Sequence, residues 1–206
     1  MSRVLPILFN TEMVRAILRK LSPKTTTRRC IKGYIPKDAM WGYTMFTPKG
    51  YISCRGTFSG EYGEKFFKLP CQKGDILYVR ETWCNANKEC VEPDYYYYAD
   101  IIICEDYDET EWKWRPSIHM PKEAARIWLR VTDVRVERLQ DISGGELIKE
   151  GIDRSLLYGG CVRDAFDKFR EIWDSTIKKQ DIDLYGWYAN PFVWVIEFER
   201  CEKPEE

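Results

Sequence analysis

The chain has 206 residues, 44% hydrophobic and 32% charged, with a formal net charge of −1, long enough to bury a sizeable core in one domain carrying insertions. Near-neutral charge excludes a surface that binds polyanions nonspecifically all round. No uncharged apolar run approaches the ~18 residues that a membrane helix needs.

Val4 to Phe9 is too short an apolar stretch for a signal peptide, and polar Asn10-Thr11-Glu12 follows at once, so a cytoplasmic location is expected. The eight cysteines are irregularly spaced without any Cys-x-x-Cys. That pattern predicts free thiols; Cys84 and Cys90 give only weak support for a metal.

Val4 to Phe9 reads as a first strand, with Pro6 marking a sheet edge or strand start. Met13, Val14, Ile17, Leu18 and Leu21 then share one helical face. They predict a helix over 11–21, capped by Asn10 or Thr11 and ended by Ser22-Pro23. Lys24-Thr25-Thr26-Thr27-Arg28-Arg29 is then expected in a turn at the helix C-terminus, where carbonyls attract cations. With Lys32 and Lys37 it forms a basic segment, whereas Asp100, Glu105, Asp106, Asp108, Glu109 and Glu111 read as a solvated acidic face.

Residues 33–70 are rich in glycine, proline and aromatics. A hairpin is predicted there, with strands Tyr43 to Phe46 and Tyr51 to Ser53 and a turn at Thr47-Pro48-Lys49-Gly50. After Lys73-Gly74-Asp75 comes a strand with Ile76, Tyr78 and Arg80 on one face and Leu77, Val79 and Glu81 on the other. Tyr95 to Ala99 reads as another strand. Ile127, Leu129 and Val131 alternate, Val134 and Val136 continue out of phase, and a bulge near Thr132-Asp133 accounts for the shift.

Ser143-Gly144-Gly145-Glu146 is a capping box, and Gly151 stops the short helix after Glu150. Val162, Phe166, Phe169, Ile172 and Trp173 mark a further amphipathic helix, and Phe192 to Phe198 a strand buried on both faces. These elements predict an α+β fold, a small mixed sheet or barrel with flanking helices, rather than alternating βαβ units. Glycine-rich nucleotide loops and a Gly-x-Ser-x-Gly elbow are absent.

A turn at Lys24 to Thr27 brings its first and fourth residues within about 7 Å at Cα. A lysine neutralised by burial can then take the proton of a threonine hydroxyl and make it a nucleophile. The competing reading is that Lys24, Arg28 and Arg29 only neutralise the helix end. Glu81 and Glu150 are the carboxylates that could orient the lysine or protonate a leaving amine. Trp83, Tyr95 to Tyr98, Trp112 and Trp114 could stack on bases, although most aromatics serve the core. Pro116 to Pro121 holds Ser117 and the single histidine, His119, in a segment made rigid at both ends.

The Lys24 to Arg29 cluster, the Lys73-Gly74-Asp75 strand running to Trp83, and Val195-Ile196-Glu197-Phe198 together resemble an ASCH domain. Pro116 to Pro121 and Tyr185-Gly186-Trp187 before Asn190-Pro191 resemble the ASCH proteins common in phages and prophages. The resemblance implies a PUA-like β-barrel over 1–206, with aromatic-rich insertions at about 33–70, 84–120 and 153–190. The family pattern is Gly-x-Lys-x-x-Glu-x-Arg; Lys24 and Arg29 match it, while Ser22 replaces the glycine and Thr27 the glutamate. Threonine at that place is shared with a bacterial branch that hydrolyses 4-acetylcytidine. By that resemblance Lys24 is the base, Thr27 the nucleophile and Glu150 the carboxylate. The expected ligand is RNA, a nucleoside or a nucleobase, met by Arg28, Arg29, Arg80, Glu81, Trp83, Ser117 and His119. No metal or cofactor is implied. The alternative is a non-catalytic phage accessory protein whose aromatics bind another protein.

Overall fold

The computed structural model describes residues 2–85, 94–101, 112–158 and 161–205. Cys90, Cys104 and the expected acidic face at 105–111 lie outside them; the six described cysteines are free thiols.

The first strand, β1 (Val4–Leu8), lies at the edge of its sheet, where the missing amide hydrogen of Pro6 costs no ladder bond. Helix α1 (Thr11–Leu18) is capped by Asn10, whose side chain accepts from the Met13 N–H. It ends before the expected Leu21, which is 85% exposed. The Lys24 N–H turns back to the Ala16 carbonyl, and Ser22 takes the left-handed conformation (φ 51°) ahead of Pro23.

The basic cluster is not a turn. Thr26–Cys30 form strand β2, because pairing with the last strand satisfies their backbone groups and β-branched threonines suit extended chain. Strands β3 (Met40–Gly42), β4 (Tyr51–Phe58) and β5 (Glu61–Lys68) make a three-stranded sheet. Met40–Gly42, not Tyr43 to Phe46, pairs with β4, and a second hairpin turns at Ser59-Gly60, both at positive φ (54° and 92°).

Next come β6 (Ile76–Arg80), β7 (Trp83–Asn85), β8 (Tyr95–Tyr97) and the long β9 (Trp128–Arg138). Helices α2 (Gly144–Lys149), α3 (Arg154–Tyr158), α4 (Val162–Ser175) and α5 (Ile182–Tyr185) precede β10 (Phe192–Cys201). The capping box on α2 is complete: Ser143 accepts from the Glu146 N–H, and the Glu146 carboxylate accepts from the Ser143 N–H.

The main sheet has the order β1-β6-β9-β10-β2. It is open, which corrects the closed barrel expected from resemblance: no ladder joins the edge strands β1 and β2 among the described residues. Arg29 Nη2 instead spans the seam to the Leu8 carbonyl at 2.6 Å.

One face of this sheet carries Leu77, Val79, Leu129, Val131, Trp194 and Ile196, packed under Val14 and Ile17 of α1 and Ile52 of the second sheet. The opposite face presents Val193 and Val195 to Leu147 of α2 and to Ala165, Phe169 and Trp173 of α4. The bulge falls where expected: Glu197 pairs with Asp133 but Phe198 with Val131, leaving Thr132 unopposed. Among the described residues no helix is long and apolar enough to cross a membrane.

Candidate active site at the open seam

Pairing on one side only makes β2 an edge strand, and pleating sends its side chains alternately to the two faces of the sheet. Thr27 and Arg29 oppose Ile196 and Trp194 of the first core, whereas Arg28 opposes Val195 of the second. A cavity of about 380 Å³ wraps this edge, bounded by Phe9, Met13 and Asn10 on one side and by Phe169, Ile172 and Trp173 on the other. Lys24, Thr27, Arg28, Arg29 and Glu150 all line it.

Backbone hydrogen bonds bring Lys24 to Glu150. The Thr25 N–H donates to the Lys149 carbonyl (2.8 Å) at the end of α2, and the Phe198 N–H donates to the Thr25 carbonyl (2.8 Å). Glu150 is the C-cap of α2, and Gly151 follows at φ +98°, a conformation that glycine adopts without strain. There is no room for a Cβ at Gly151: one would lie 2.7 Å from Ala16 Cβ and 3.3 Å from Lys24 Cβ.

The Lys24 ammonium is buried and donates to Glu150 Oε2 and to the Glu150 carbonyl, both at 2.6 Å. Burial is the main influence and draws the ammonium below the ordinary lysine pKa; the Glu150 carboxylate opposes it, and Arg29 and Arg28 add to the lowering. Glu150 Oε1 accepts from Arg28 Nη1 at 3.1 Å.

Arg28 was expected to contact ligand, but three carboxylates occupy its guanidinium. Besides Glu150, Nη2 meets Glu137 at 3.1 Å and Glu146 at 3.3 Å, with the side chain 1% exposed. Arg135 meets the same two carboxylates, Glu137 at 2.5 Å and Glu146 at 3.0 Å, and Glu197 at 2.6 Å. Two arginines and two glutamates thus form a closed ring beneath Glu150, and Arg28 orients that carboxylate. Charged hydrogen bonds on both oxygens leave Glu150 little freedom to turn.

The other expected ligand contacts lie elsewhere, because the alternation of β6 and the loop after it direct them to a third cluster around Met120. Arg80 Nε donates to the Met120 carbonyl at 2.7 Å. Glu81 is buried and takes both its hydrogen bonds from Arg126, at 3.0 Å each. Burial foremost raises the Glu81 pKa, against the opposing charge of Arg126. Trp83 is core, while Ser117 to His119 form a single 3-10 turn with His119 exposed.

Sequence reasoning missed the Arg135, Glu137 and Glu146 scaffold and the α4 wall. A signal for the scaffold was present, since the bulge that realigns Val134 and Val136 also turns Arg135 and Glu137 to the opposite face. Among the described residues no group of three His, Cys, Asp or Glu side chains is arranged to hold a metal. Comparison of the chain with protein-family models, with curated proteins and with solved structures gives no match.

Proposed function

We propose that the seam cavity binds a nucleobase, as a nucleoside or within single-stranded RNA, and that Lys24, Thr27 and Glu150 hydrolyse the amide of an acylated cytidine there. The observation that carries this reading is the meeting of Lys24 and Thr27 with Glu150, 126 positions from Lys24 in the chain, in one open cavity. Its volume of about 380 Å³ suits a ligand of nucleoside size. Phe9 and Trp173 in its walls offer apolar surface to a planar ring.

In the first step Lys24 acts from its deprotonated form, which burial favours, and accepts the Thr27 hydroxyl proton as Oγ1 attacks the acyl carbonyl. The amide C–N bond then breaks, the departing exocyclic nitrogen takes the proton back from Lys24, and the acyl group rests on Thr27 as an ester. Water, deprotonated by Lys24, then attacks the ester carbonyl; the C–O bond to Thr27 breaks, Oγ1 takes that proton back from Lys24, and the released carboxylic acid gives its own proton to solvent. Glu150 holds Lys24 in place throughout and stabilises each ammonium that forms.

The test is release of cytidine from N4-acetylcytidine, followed chromatographically. Thr27→Ala is expected to lower turnover at least ~100-fold, while Thr27→Ser keeps a measurable rate. Full turnover by Thr27→Ala removes the hydrolytic reading, and failure of the wild-type protein to bind any cytidine derivative removes the reading as a whole.

A further inference from the structure

The charges around the cavity are unequally matched. Lys24 and Arg28 are met by Glu150, Glu137 and Glu146. Arg29 is not: its guanidinium donates to one neutral acceptor, the Leu8 carbonyl, and lies over the Phe9 ring at 5.2 Å. Among the described residues it forms no ion pair, and the charge of Glu150 is already divided between Lys24 and Arg28. Burial weakens its hold on its proton, as expected of a cation lacking a carboxylate at contact distance.

Two further features add positive potential at the same wall. Lys32 lines the cavity and forms no ion pair among the described residues. The first turn of the eight-residue α1 borders it through Asn10 and Met13, so the positive end of the helix dipole faces the same space. A half-buried guanidinium with donors to spare, beside a lysine and a helix N-terminus, matches an oxyanion that accepts paired hydrogen bonds.

We propose that the ligand of this cavity carries a phosphate that pairs with Arg29, so that its occupant is a nucleotide, free or within an RNA strand, rather than a free nucleoside. This inference rests on the nucleobase reading above, with the ring toward Thr27 and the phosphate at the Arg29 and Lys32 side.

The test is calorimetric titration of the full chain, at one fixed salt concentration, with cytidine, cytidine 5′-monophosphate and a short oligocytidylate. The wild-type protein is expected to bind the monophosphate at least ~10-fold more tightly than cytidine. In Arg29→Gln that ratio falls toward one, and Arg29→Lys retains part of it. Tighter binding of the oligomer assigns the phosphate to a strand; equal or weaker binding assigns it to the free nucleotide. Equal affinity of wild-type protein for cytidine and its monophosphate overturns the proposal, as does a preference that survives Arg29→Gln. Inorganic phosphate, followed through the Arg29 Nε nuclear magnetic resonance signal, separates the two readings. If it moves that signal while no cytidine compound binds, the anion site stands and the nucleobase reading falls. If nothing binds and the signal stays still, both fall.

Discussion

Lys24 and Glu150, 126 positions apart in the chain, are joined by one ammonium that donates at 2.6 Å to both the carboxylate and the main-chain carbonyl of the glutamate. The ammonium thereby ties β2's approach to the end of α2. Its removal leaves a buried carboxylate with Arg28 as its remaining cation.

Lys24→Met is therefore expected to destabilise the fold by about 3–5 kcal/mol, and Glu150→Leu by a similar amount. The double variant should recover much of the loss, since neither charge is then buried alone. Urea unfolding of the four proteins measures the coupling, and simple additivity of the two losses contradicts it.

Gly151→Ala tests how closely the backbone packs at the site. The added methyl meets Ala16 Cβ at 2.7 Å and the Lys24 stem at 3.3 Å, on a residue at φ +98°. A loss of about 1–3 kcal/mol is expected in thermal unfolding. Gly145→Ala, in α2 with open space at the added Cβ, is the control and should be neutral or stabilising by up to about 1 kcal/mol.

Acid should weaken the fold through Asp75 and Glu146. Burial alone would raise both carboxyls, but hydrogen bonds outweigh it. Asp75 is held low by Arg3 and the Gln72 N–H, and Glu146 by Ser143, Arg28 and Arg135. Because the folded values are depressed, the stability these groups add is complete above the ordinary carboxylate range of about pH 4 and is lost as pH falls through the folded values. Melting temperatures between about pH 2 and pH 6 measure this slope. Asp75→Asn should flatten it, and an unchanged slope excludes Asp75 as a source.

Glu81 has the opposite sign. Its folded pKa is raised, so its contribution weakens as pH rises from the unfolded value through the folded one. Arg126→Met removes both of its hydrogen bonds. A loss of about 3–5 kcal/mol is expected at neutral pH. Acidification should restore part of it by protonating the carboxyl, and a pH-independent loss in denaturant titrations contradicts the account.

Features set by near neighbours were legible in the sequence. The Ser143 and Glu146 capping box, the two faces of β6 and the bulge at Thr132 each need only a few adjacent residues. Thr26 to Arg29 reads as a turn from its neighbours alone, because its extended form depends on β10, at the far end of the chain. Three successive threonines carried a β-branched signal for strand, and Ser59-Gly60 a signal for the missed hairpin. The meeting of Lys24 with Glu150 was expected only through resemblance, since no local pattern specifies which glutamate closes on which lysine. Arg28 looked like a free cation for the same reason: Glu137 and Glu146 reach it through the sheet and α2.

The unopposed Thr132 has a consequence for how this chain can change. Upstream of it Leu129 and Val131 point into the first core; downstream Val134 and Val136 do so, leaving Arg135 and Glu137 under Arg28. The bulge is what reconciles the two halves: were Thr132 drawn into the ladder as an ordinary paired residue, the second half of the strand would invert, driving a guanidinium and a carboxylate into oil and lifting two valines into the ionic ring. Point substitutions can tune the ring one charge at a time. Loss of the bulge with the residue retained would dismantle the ring and half a core in one step, so the irregularity at Thr132 is as tightly constrained as the identity of any residue in the cavity.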